Sequence, residues 1–157
     1  NMVHPLVGIH AFLGEAGIIS FVWVFVEMLN PIPSTIKRAK IAALIGVILF
    51  FVSWIAGGYY YVEYYGENVK PIIKEGPQPW AHSIFTETKE HVFLFLPFLS
   101  LLVFGIIKKY EKQISKDKNI RKAVLALCGV IFLIGVLMAG MGYLISTGAR
   151  TALEAGA

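Results

Sequence analysis

Cysteine is nearly missing from this 157-residue sequence. Cys128 stands alone inside an apolar run, so neither an internal disulfide nor a cysteine cage for a metal can form, and it reads as a small buried or lipid-facing residue. Charge is also scarce, at 15% of residues against 57% apolar and 13% aromatic. A water-soluble domain of this size has too little polar surface to cover so much apolar area. There is no Gly-rich phosphate loop, no His-Glu-x-x-His pair and no nucleophile elbow, which removes the common phosphoryl-transfer, metallopeptidase and serine-hydrolase chemistries. The basic residues are not interleaved with base-stacking aromatics, so nucleic acid is not an expected partner. Neither a deep basic row nor a row of acids is present, which argues against a voltage sensor or a proton path.

What is present is apolar sequence in long runs, with a mean hydropathy of +0.69. A hydrocarbon core about 30 Å thick needs about 20 helical residues to cross it. Four runs supply that length, at about 6–29, 41–61, 88–107 and 123–145, with the third helix expected to extend outward to about Ala81. The fold class predicted is therefore all-α, a single four-helix transmembrane bundle over 1–157. Asn30-Pro31-Ile32-Pro33 stops the first helix. The end of the second is an aromatic belt of Trp54, Tyr59, Tyr60, Tyr61, Tyr64 and Tyr65, as found where lipid meets water. The stretch from Gly66 to Trp80 carries Pro71, Pro77 and Pro79 and is too punctuated for regular structure over its second half. The first run is long and has no basic segment before it, so it is expected to span rather than to be a cleaved signal.

Positive residues set an expected orientation. Lys37, Arg38 and Lys40 lie in the first loop, and Lys108, Lys109, Lys112, Lys116, Lys118, Arg121 and Lys122 in the third. The second loop and the tail hold only Lys70, Lys74, Lys89 and Arg150. The positive-inside rule then places the first and third loops in the cytoplasm of an inner-type membrane and both termini outside it. The net charge of +4 is a signal of topology on this reading.

The two halves of the chain also resemble each other. His10-Ala11-Phe12-Leu13 parallels His91-Val92-Phe93-Leu94, and Ala56-Gly57-Gly58-Tyr59 parallels Ala139-Gly140-Met141-Gly142-Tyr143. A duplicated helical hairpin, its copies related by an axis along the membrane normal, explains the pattern. At about 1.5 Å per residue, His10 and His91 come within about 5 Å of one depth beneath the outer surface. Gly57, Gly58, Gly140 and Gly142 fall at that level. His10, Gly14 and Gly17 share one face of the first helix, a strip without side chains beside an imidazole. Two histidines facing a ring of glycines could hold a flat macrocycle between helices, and close helix packing explains the same glycines equally well.

Imidazole at membrane depth is costly and chemically versatile. His10 and His91 are the candidate haem ligands. His4 and His82 form a looser pair near the aqueous boundary, where capping or solvated roles are expected. Glu15 and Glu87 extend the set to one that could hold an iron, copper or zinc ion, although the paired Glu-x-x-His motifs of di-iron bundles are absent.

With histidines on alternate helices, small residues on their neighbours and basic cytoplasmic loops, the chain resembles the four-helix membrane cytochromes b of cytochrome b561-type architecture. The resemblance rests on His10, His91 and the two Ala-Gly segments. It departs from that pattern in the inner half, which has no histidine. The opening from His4 to His10 is also similar to that of uncharacterised four-helix bacterial membrane proteins. The expectation is a haem b protein transferring electrons near the extracytoplasmic face to or from a quinone or an extracytoplasmic redox protein, with Lys70, Lys74 or Arg150 available to haem propionates. Metal handling by the histidines and glutamates is the alternative, and a cofactor-free anchor or assembly subunit, alone or in an oligomer, is the third.

Overall fold

The computed structural model describes residues 4–156. All regular structure among them is helical: α1 (Pro5–Leu29), α2 (Pro33–Asn68), the short α3 (Lys70–Glu75), α4 (Ala81–Lys109) and α5 (Lys118–Glu154). The four long helices are each long and apolar enough to cross a membrane. The chain is thus an all-α, multi-pass membrane protein.

Local chemistry explains most boundaries. Pro5 opens α1 where its missing N–H costs nothing, and His4 Nδ1 accepts the Leu6 N–H at 3.3 Å. Pro33 opens α2, with Thr35 Oγ1 accepting the Ile32 N–H at 2.8 Å. Asp117 caps α5 by accepting from the amides of Asn119 and Ile120.

The helices outrun the hydropathy estimates at both ends of the second and fourth spans. Hydropathy marks the stretch in lipid, while backbone hydrogen bonding continues into water. At 37 residues, α5 is about 56 Å long, well beyond the apolar layer. The start of α4 at Ala81 and the irregular stretch after Glu75 match expectation.

Three places in the bundle depart from ordinary α-helix. Residues Tyr61–Tyr65 of α2 and Ala81–Thr86 of α4 are π-helical, and α4 is interrupted at Phe93 and Leu94. Pro97 explains the interruption, since it has no N–H to give the Phe93 carbonyl. Leu96 N–H takes that carbonyl instead, at 3.3 Å, in a tighter turn.

Contacts run α1 to α2, α2 to α4, α4 to α5 and α5 back to α1. This is a four-cornered, up-down-up-down bundle with α1 and α4 on a diagonal and both chain ends at one side. Each helix turns a stripe of threes and fours inward. Phe21, Val24 and Met28 of α1 meet Ala39, Ala43 and Phe50 of α2, Leu96, Val103 and Ile107 of α4, and Val124, Ile131 and Met138 of α5. Glycines draw the helices close, as Cβ atoms at Gly46 and Gly135 would lie about 2.5 Å from Phe21 and Ile18. Outward positions such as Phe12, Ile19, Ile55, Val62 and Leu133 are large, apolar and exposed, as lipid contact requires. Ser20 and Ser100 bond back to carbonyls of their own helices.

Cys128 is buried in this core. At the basic end, Arg38 holds Glu27 through both carboxylate oxygens, at 2.7 and 2.8 Å, and Lys40 pairs with Glu111.

Candidate functional site

The core is divided. A second, smaller apolar cluster of Tyr65, Ile73 and Ala81 sits at the end of the bundle where both termini lie. Between the clusters no side chain is fully buried: residues 5–16, 54–64, 87–95 and 139–147 are all half-buried or exposed. From Met138 to Gly148 on α5 that layer is about 15 Å deep.

The inward stripes identify the layer's contents. His10 lies seven residues before Gly17, Gly57 four after Ser53, Lys89 seven before Leu96, and Gly142 four after Met138. Where the rest of the bundle turns inward Phe, Leu, Val or Met, this layer turns inward His, Gly, Lys and Gly. Half-buried apolar side chains of the same layer, Val92, Phe93 and Met141, pack beside these positions against the main cluster.

His10 is held firmly. Its Nδ1 is 2.8 Å from the Ser53 carbonyl, which only accepts, so Nδ1 carries the proton and donates it. Ser53 Oγ lies 3.1 Å from the same nitrogen and donates to the His10 carbonyl at 2.8 Å. The Nδ1 edge of the ring lies over Gly57, where a Cβ would stand 2.6 Å from Nδ1. Nε2 is left as a bare lone pair pointing away from α2, with no hydrogen bond among the described residues.

Lys89 approaches from the diagonal helix. A Cβ at Gly142 would lie 3.2 Å from its Nζ, so the missing side chain gives the ammonium its place. Among the described residues no carboxylate lies within ion-pair distance of Lys89.

A polar node closes the outer side of the layer. The buried Tyr65 hydroxyl is 3.1 Å from His82 Nδ1 and 2.9 Å from Thr86 Oγ1, and Thr86 Oγ1 also reaches the Ala81 carbonyl. All of these residues belong to the two π-helical segments, a form often found at functional sites. Glu90 lies in the same layer, and its Oε1 is buried without a hydrogen-bond partner among the described residues.

The expected site is therefore assembled in part. His10, Gly57 and Gly142 share the layer. His91 does not: it is exposed, and its Nδ1 donates to the Glu87 carbonyl of its own helix at 2.6 Å. Five residues before the buried Leu96, it lies about 140° from that inward face, whereas Lys89 lies within about 20° of it. The expected pairing of His10 with His91 across the bundle is not formed.

The slot along Gly14 and Gly17 is taken by α2, since Cβ atoms there would meet Ser53 Oγ at 3.3 Å and the Phe50 ring at 2.7 Å. Gly58 and Gly140 face no neighbour within 4 Å, and Gly140 is exposed. His4 serves as a helix cap and packs on Tyr60 and Tyr64. His82 is buried with Tyr65, while Glu15 and Glu87 are exposed. Among the described residues no three His, Cys, Asp or Glu side chains come together as a metal site, so the six-residue ligand set is dispersed. Lys89, Tyr65 and Glu90 are the site residues that sequence reasoning missed. For Lys89 a signal existed in its heptad spacing to Leu96 and Val103.

The fold and this layer define a class: a four-helix membrane bundle with a polar, glycine-walled layer near the end that carries both termini. Comparison with protein-family models, curated proteins and solved structures finds no match to the chain.

Proposed function

We propose that the protein binds haem b in this layer through His10 and carries electrons at the extracytoplasmic end of the bundle. One observation carries the reading: an imidazole beside Gly57, fixed by an Nδ1–H bond to a backbone carbonyl, whose Nε2 has no hydrogen bond among the described residues. Ligating histidines are commonly oriented in this way. When bound, the haem supplies one-electron chemistry at its iron. Ser53 sets the tautomer of His10 and holds its ring, and Gly57 leaves room for it. Lys89 supplies positive charge opposite. His91 has no part in this arrangement, so His10 alone would supply an imidazole to the haem, unlike the bis-His pattern of the cytochromes the chain resembles.

The basic loops support placing the 30–32 and 110–117 connections in the cytoplasm and the polar layer outside, toward a quinone or an extracytoplasmic redox partner. The decisive experiment is an absorbance spectrum of the purified protein with and without dithionite. A Soret band that shifts on reduction is expected, lost in His10→Ala and retained in His91→Ala. A colourless protein that also fails to take up added haemin would overturn the haem reading. The close helix packing at Gly17, Gly46 and Gly135 would then favour the cofactor-free membrane subunit.

A further inference from the structure

The outward side of α4 is not uniformly convex. Phe98, Leu101, Leu102, Gly105, Lys109 and Tyr110 line a groove of about 620 Å³, within the size range of small-molecule sites. Gly105 makes the hollow, since a Cβ there would meet nothing within 4 Å, while Phe98, Leu101 and Leu102 are large and exposed around it. From Phe98 to Lys109 the helix rises about 16 Å, close to half of a hydrocarbon core about 30 Å thick. The groove therefore runs the depth of one leaflet, apolar over most of its length and cationic at its mouth.

That mouth lies at the end of the bundle that holds the basic connections, where ten basic residues face three acids. Glu27 is taken by Arg38, Glu111 by Lys40, and Asp117 is spent on capping α5. Lys109 is exposed and has no carboxylate within ion-pair distance among the described residues. Its Nζ lies 5.3 Å from the centre of the Tyr110 ring. A lysine at the water–lipid boundary, with an excess of positive charge around it, attracts an anionic headgroup.

We propose that this groove binds an anionic phospholipid from the leaflet at the basic end, one acyl chain lying over Gly105 and the phosphate meeting Lys109. Charge complementarity and the match of groove length to leaflet depth favour this occupant. A second copy of the chain, sharing the orientation of the first in the membrane, would instead set another excess of positive charge beside it. The site is at the opposite end of the bundle from His10 and does not rest on the haem reading.

The full-length protein is reconstituted in vesicles carrying traces of phosphatidylglycerol or phosphatidylcholine, each with a diazirine midway along one acyl chain. After illumination, adducts are mapped by peptide mass spectrometry. Residues 98–106 are expected to carry about fivefold more adduct from phosphatidylglycerol, the preference that one basic residue near the surface supplies. Lys109→Met should abolish the preference and Lys109→Arg should retain it. Lys37→Met, at the same end but outside the groove, should leave it intact. Gly105→Leu fills the hollow and should lower labelling by phosphatidylglycerol to the level seen with phosphatidylcholine.

Equal labelling by the two lipids overturns the inference, because the groove then holds ordinary bilayer lipid. A preference that survives Lys109→Met overturns it too. Labelling by neither lipid does the same, and a dimer in native mass spectrometry then identifies a second copy as the occupant. Should Lys109→Met fail to fold, Gly105→Leu decides in its place: loss of the preference supports the site and an unchanged preference overturns it.

Discussion

Lys89 and His91 are two positions apart, and two positions on a helix exchange the inside of a bundle for the outside. The resemblance between the two chain halves singles out His91, because it aligns with His10. The inward stripe selects Lys89, because it lies in register with Leu96 and Val103, both buried. The contact of His10 with Gly57 gives a sharp test. Gly57→Ala puts a Cβ where 2.6 Å separates it from Nδ1, so the ring must shift from the place in which it bonds Ser53. A cost of about 1–3 kcal/mol is expected, read as a lower melting temperature in detergent. Gly58→Ala, one residue on and facing open space, should leave that temperature unchanged.

At the scale of the element, proline and glycine act through what they omit. Pro97 omits an N–H and so interrupts α4 at Phe93 and Leu94. That position follows from the sequence once a helix is assumed, because the orphaned carbonyl must lie four residues back. The π-helical turns at 61–65 and 81–86 do not follow in the same way. They occur where Tyr65 must reach His82 and Thr86, and that contact exists only after α2 and α4 have packed. Glycines on α5 divide by face. Gly135 receives Ile18 of α1, whereas Gly140 meets nothing within 4 Å. Gly135→Leu is therefore expected to force α5 from α1 and cost about 1–3 kcal/mol by overpacking, while Gly140→Leu should be nearly neutral. Thermal unfolding of the two variants side by side checks this, and equal effects would contradict the assigned faces.

At the scale of the whole molecule, an up-down-up-down bundle puts the 30–32 and 110–117 connections at one end, and the proposal that this end is cytoplasmic, argued from the positive-inside rule, has a direct test. With Cys128 buried, single cysteines at Asn68 and Asp117 can be probed in intact cells with a membrane-impermeant maleimide. Asn68→Cys should label and Asp117→Cys should label only after lysis; the reverse pattern would move the polar layer to the cytoplasmic side. The number of spans, the turns between them and the charge asymmetry were all determined by the sequence alone, because each depends on the free energy of moving a segment between water and lipid, which is local to that segment. Which side chains share the layer was decided only by the tertiary structure. A membrane is equally apolar around the whole helix, so hydropathy carries little information about rotation. It took packing of α1 and α4 against their shared neighbours, α2 and α5, to turn His10 and Lys89 inward and leave His91 outside.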